Sequence, residues 1–123
     1  MGCTGLSIQL PAGLREIGLG VFEGSGLESV TIPSSVRTIH QSAFCLCKNL
    51  RYAMINEGLE VLGTDEYPGN DGNWYGVFGD SALEYVELPS TLKRIEYCTF
   101  NGCKNLSNIN LPERLEYIGK QCF

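Results

Sequence analysis

Leu83–Leu106 reads LEYVELPSTLKRIEYCTFNGCKNL, and Leu27–Leu50 reads LESVTIPSSVRTIHQSAFCLCKNL. Laid over one another, the two stretches match at Leu83 and Leu27, Val86 and Val30, Pro89 and Pro33, Ile95 and Ile39, Phe100 and Phe44, and Cys103 and Cys47. Both close on Lys-Asn-Leu. The chain is internally repetitive, and this pair sets the register in which the rest is read.

Working outward, the proline slot is filled by Pro11, Pro33, Asn56, Pro89 and Pro112, and the aromatic slot by Phe22, Phe44, Phe78, Phe100 and Phe123. Successive marks lie 22 or 23 residues apart, except across one repeat, where Asn56 to Pro89 spans 33 and Phe44 to Phe78 spans 34. A fixed period in the twenties marks a solenoid, in which each coil buries its apolar face only against its neighbours. Within a repeat, Leu27, Val30 and Ile32 form one short extended segment closed by Pro33, and Val36 and Ile39 form a second. Apolar residues two apart, bounded by Pro and Gly, read as strands with one face inward. Proline fits at a strand end because it cannot donate to a ladder. The segment from Ser42 to Cys47 turns the chain back under the core, with room for one helical or 3₁₀ turn. The expected fold class is a β-rich solenoid of stacked 22–23 residue coils, with short parallel strands, turns and little helix. Stacked at strand spacing of about 4.8 Å, the phenylalanines would form a ladder.

One break interrupts the period. Between Leu62 and Phe78 about eleven residues are added, drawn from a Gly-, Pro-, Asn- and Asp-rich stretch that holds the single Trp. The insertion, 64–76, reads as an exposed turn-rich loop carrying Tyr67, Trp74 and Tyr75. The domain expectation is one solenoid over 1–123 with this loop inside it, forming part of a longer array. Phe123 ends the sequence on the aromatic of a repeat with no polar cap, and Leu6 stands where a myristoylation pattern at Gly2 requires Ser or Thr.

Nine basic against fourteen acidic residues give a net charge of -5, with no basic stripe for a phosphate backbone. No apolar run is long enough to cross a bilayer. Nucleic acid and membrane insertion are therefore set aside as partners of this stretch.

The pattern L-x-x-[IV]-x-[IL]-P-x-x-[VL]-x-x-I-x-x-x-A-F-x-x-C-x-x-L, met at Leu27–Leu50 and nearly at Leu83–Leu106, resembles the BspA-like leucine-rich repeats. Departures are Asn56 for Pro, Thr99 and Cys122 for the small Ala, Ser25 and Ser81 for Cys, and the insertion. The resemblance implies a non-catalytic module for adhesion or recognition, at a cell surface or secreted, with no cofactor. The family motif is structural and carries no catalytic residue.

The repeat register constrains the residues that could carry chemistry. Cys47 and Cys103 share a slot two coils apart with Ser81 between, about 10 Å at strand spacing, too far for a disulfide or a shared zinc. Cys98 and Cys122 lie in adjacent coils but one position out of step, so a bond between them stays open. The expectation for most thiols is free and buried. His40 falls in the slot of Gly18, Gly63, Glu96 and Gly119, read as a solvated surface position with no nucleophile beside it. Asp65, Glu66, Asp71 and Asp80 fail the calcium-loop pattern at Tyr75 and Ala82, so no metal is expected. Asn105-Leu106-Ser107 matches a glycosylation sequon, but Leu106 occupies a core rung.

What remains is the outward face of the first strand, with two columns: Ser7, Ser29, Tyr52, Tyr85, Asn108, and Gln9, Thr31, Met54, Glu87, Asn110. Tyr52, Met54 and Tyr85 form an amphipathic patch of the composition enriched in interfaces, with Glu87 beside it. Two readings stand: a protein-binding module using this face, or a carbohydrate-binding module using Tyr67, Trp74 and Tyr75 of the loop.

Overall fold

A computed structural model describes residues 7–64, 76–107 and 109–123. Nine short strands occur in it: β1 (Ser7–Gln9), β2 (Glu16–Ile17), β3 (Ser29–Ile32), β4 (Thr38–Ile39), β5 (Tyr52–Ile55), β6 (Val61–Leu62), β7 (Tyr85–Glu87), β8 (Arg94–Ile95) and β9 (Tyr117–Ile118). No helix is present among the described residues. The chain makes five coils, ending at Phe22, Phe44, Phe78, Phe100 and Phe123.

The first strands of coils 1–4 pair in parallel in the order β1-β3-β5-β7, and the second strands form β2-β4 and β6-β8-β9. The register couples Val30 to Ala53 to Val86 and Ile32 to Ile55, so equivalent residues of successive repeats stand side by side. Alternation then sends these residues inward, and all are buried. The second ladder is interrupted between β4 and β6, although the two remain neighbours. The interruption falls in coil 3, where Gly63 at φ 94° turns the chain off its extended path towards the insertion.

The aromatic ladder runs the length of the stack. Ring centroids of Phe22 and Phe44, Phe44 and Phe78, Phe78 and Phe100, and Phe100 and Phe123 are 5.2, 5.5, 5.8 and 5.5 Å apart, with planes within 20° of parallel. Phe44, Phe78 and Phe100 are fully buried, and each contributes about 1.5–3 kcal/mol through loss of apolar area from water. Phe123, with a neighbour on one side, is 58% exposed.

In place of the helical or 3₁₀ turn, the segment under the core is a run of hydrogen-bonded turns whose amides reach the next coil. Phe22 N–H donates to the Ala43 carbonyl at 2.9 Å, Phe44 to Val77 at 2.8 Å, Phe78 to Thr99 at 2.9 Å and Phe100 to Cys122 at 2.8 Å. Left-handed backbone flanks the phenylalanines, two residues before and two after: Gly20 and Gly24 about Phe22, Ser42 and Leu46 about Phe44, Cys98 and Gly102 about Phe100. Asp80 after Phe78 and Gln121 before Phe123 continue the series. These reversals keep the peptide groups pointing along the stack, where a helix would turn them onto itself.

Candidate interaction face

The outward face of the first sheet is set by the same alternation that builds the core. Ser29, Tyr52 and Tyr85 are direct neighbours on β3, β5 and β7, as are Thr31, Met54 and Glu87. Tyr52, Met54 and Tyr85 are 54, 44 and 40% exposed. Adjacent strands stand about 4.8 Å apart, so the two tyrosines form a continuous aromatic strip with Met54 along one side and Glu87 closing its corner. At its head Arg51 meets Glu84 at 3.7 Å, above a polar hollow of about 370 Å³ lined from Glu28 of coil 2 to Asn105 of coil 5. Four of the seven expected site residues are thus brought together. Tyr67, Trp74 and Tyr75 lie outside the described residues, as does Asn108.

The slot of Gly18, His40, Gly63, Glu96 and Gly119 is not the solvated surface expected of it. Glu96 is only 5% exposed, and its carboxylate accepts from Arg94 Nη2 at 3.2 and 3.5 Å. Arg94 in turn lies 4.1 Å over the Tyr117 ring, so the buried charge is paired and its partner is stacked. His40 is half-buried, with Nε2 at 3.1 Å from Glu16 Oε2 of the preceding coil. The physical reason is the close approach of neighbouring backbones where each second strand ends. A Cβ on Gly119 would sit 2.7 Å from the Tyr97 amide nitrogen. The polar side chains in this slot therefore have to find partners within the stack.

The five described cysteines are free, with Cys45, Cys47, Cys98 and Cys122 buried and Cys103 partly so. The open question about Cys98 and Cys122 resolves to two thiols. Cys47 Sγ lies 3.5 Å from Ser25 Oγ, and Cys103 Sγ lies 3.6 Å from Ser81 Oγ. Each thiol also donates to a phenylalanine carbonyl earlier in the stack, Cys47 to Phe22 at 3.2 Å and Cys103 to Phe78 at 3.1 Å. Burial, reinforced by the Glu23 carboxylate, pushes the Cys45 thiol up to about 12, and burial raises Cys98, Cys103 and Cys122 as well. A nucleophilic or metal-binding cysteine needs the opposite shift. Among the described residues no three His, Cys, Asp or Glu side chains are gathered so as to hold a metal ion. No helix there is long and apolar enough to cross a membrane.

The sequence model of the BspA type leucine rich repeat region matches residues 1–69 and 75–123, in six copies. This chain belongs to that family. The five residues between the two matched segments, 70–74, fall inside the insertion, so the family pattern and the break in the period agree. No curated protein and no solved structure matches the chain. Membership of the family carries the β-rich repeat solenoid with it, together with the general character of an interaction or recognition module.

Proposed function

We propose that this leucine-rich-repeat chain is a non-catalytic recognition module that captures a protein ligand on the strip formed by Tyr52, Met54 and Tyr85, with Glu87 at its edge. The observation that supports the reading is the register Tyr52 to Tyr85 and Met54 to Glu87, which makes three large exposed side chains contiguous on a rigid sheet. Scattered apolar residues are ordinary on a surface; a contiguous row on paired strands offers aromatic anchors with little conformational entropy left to lose. Adhesion at a cell surface is the setting that the family resemblance implies for such a module.

The test is a paired screen of a protein display library and a glycan array, using the chain and its Tyr52→Ser/Tyr85→Ser double variant. The exchanged side chains face solvent, so the melting temperature should change little, surface replacements falling within about 0.5 kcal/mol. Protein ligands should weaken at least about tenfold, as expected when an anchor worth about 1.4 kcal/mol or more is removed. Protein binding undiminished in the double variant would exclude the strip. A glycan ligand lost only on replacement of residues 64–76 would favour the loop instead.

A further inference from the structure

Glu87 ends the row Thr31, Met54, Glu87 on the outward face of the first sheet, and on β7 it stands two residues beyond Tyr85. At a rise of about 3.3 Å per residue its backbone is about 7 Å from that of Tyr85, and Met54 lies about 4.8 Å away on the neighbouring strand. A ligand that covers the tyrosines and Met54 therefore takes water from Glu87 as well. A carboxylate stripped of water without a counter-charge is costly, and a ligand that leaves it unpaired bears that cost.

Among the described residues of this face no cation is placed to pair it. Arg51 is the one cation in the first strands of coils 2–4 and their flanks, residues 28–34, 51–57 and 84–90, and it is engaged with Glu84 at 3.7 Å, at the opposite end of the strip. Glu28 and Glu57 belong to the same segments, so four carboxylates stand against one guanidinium. The Ser90 hydroxyl, and then its amide, hold Glu57 below the usual carboxylate range, which keeps it ionised. The second strands of the same coils, over 37–41, 60–64 and 93–97, have the opposite balance, with Arg37, Lys93 and Arg94 against Glu60 and Glu96. Within these coils, the negative excess is on the face that carries the tyrosines.

The rings suit the same kind of ligand. An ammonium or guanidinium within about 6 Å of a ring centroid is attracted by the negative face of the ring. The chain builds such an arrangement for itself on the other sheet, where Arg94 lies 4.1 Å over the Tyr117 ring while meeting Glu96 at 3.2 Å. Tyr85 and Glu87 offer the same two components, ring and carboxylate, without the cation. We infer that the ligand captured on this strip is a basic segment of a partner protein, with an Arg or Lys seated between the Tyr85 ring and the Glu87 carboxylate. The inference rests on the strip being the capture surface. Arg fits best, because a planar guanidinium stacks on a ring and donates to a carboxylate at once. An acidic segment would bring like charge to Glu87 and be rejected.

The experiment selects binders from a displayed library of short random peptides on the unaltered chain, discarding those that also bind Tyr52→Ser/Tyr85→Ser. The retained peptides should be enriched in Arg and Lys over the input library. Synthesised and measured by fluorescence polarisation, they should bind Glu87→Gln about two- to fivefold more weakly, the size of an exposed ion pair. Glu116→Gln removes an equal charge from an exposed position away from the strip and should bind as the unaltered chain does. The Glu87→Gln ratio should move towards one between about 0.1 and about 1 M salt, as the screening length falls from about 10 to about 3 Å. Strip-dependent peptides that are neutral or acidic would overturn the inference while leaving the strip as the capture surface. Basic peptides indifferent to Glu87→Gln, or weakened equally by Glu116→Gln, would do the same. The absence of any strip-dependent peptide would overturn capture on the strip itself, and the inference with it.

Discussion

Replacing Phe100 with Ala tests the stacked register more severely than any other single change. Phe100 is buried, with Phe78 at 5.8 Å on one side and Phe123 at 5.5 Å on the other. Truncation forfeits the transfer free energy of the ring, about 1.5–3 kcal/mol, and leaves a cavity between two rungs held apart by the flanking ladders. Since those ladders prevent collapse, the combined loss should reach about 3–5 kcal/mol. Phe123→Ala provides the internal standard. With 58% of Phe123 already in water, less than half of its transfer term is at stake and no closed cavity forms. Its loss should be about 1 kcal/mol. Both are read from urea titrations followed by circular dichroism, comparing midpoints at constant slope; a lower slope for Phe100→Ala would show the stack parting at coil 4. Equal losses at the two positions would refute the argument, because they would mean that Phe100 is not packed from both sides.

Three further outcomes follow from the same geometry. Gly24 at φ 67° and Gly26, with no left-handed backbone, both have open space where a Cβ would go, so Gly24→Ala should cost about 1 kcal/mol while Gly26→Ala is neutral or gains about 0.5 kcal/mol in thermal denaturation. The buried thiols should react with a thiol reagent only after denaturation. Their folded values lie above the ordinary 9.0, with Cys45 at about 12, so as pH rises the unfolded chain loses these protons first; stability should be intact below pH 9 and fall from there towards 12. Stability that rises over that interval would contradict the burial. Exchanging residues 64–76 for a short Gly-Ser link should leave the melting temperature nearly unchanged, since a shorter loop is cheaper to close by only about 0.6 kcal/mol per halving; excision that unfolds the stack would assign the insertion a structural part.

The period, the two strands of coils 1–4, the core columns and the aromatic ladder were legible in the sequence, because a repeat aligns its own equivalent residues and the two-residue alternation says which face each takes; the first strand expected of coil 5 does not form over its described residues 109–111. The row of Tyr52, Met54, Tyr85 and Glu87 was legible for the same reason, since strand register makes neighbours of equivalent positions. What the sequence could not decide is how closely the coils approach outside the strands. Glu96 and His40 looked solvated because they replace glycine in their column; stacking buries them in part and pairs them with Arg94 and Glu16. The left-handed backbone at Ser42, Leu46, Cys98 and Gln121 carries no local signal, because these residue types do not ask for positive φ. Only Asp80, of a type that tolerates it, and the glycines at Gly20, Gly24 and Gly102 in the same columns hint at it. Such conformations are imposed from outside the segment: the amides around each phenylalanine must reach a carbonyl one coil away, and that requirement exists only once the coils are stacked.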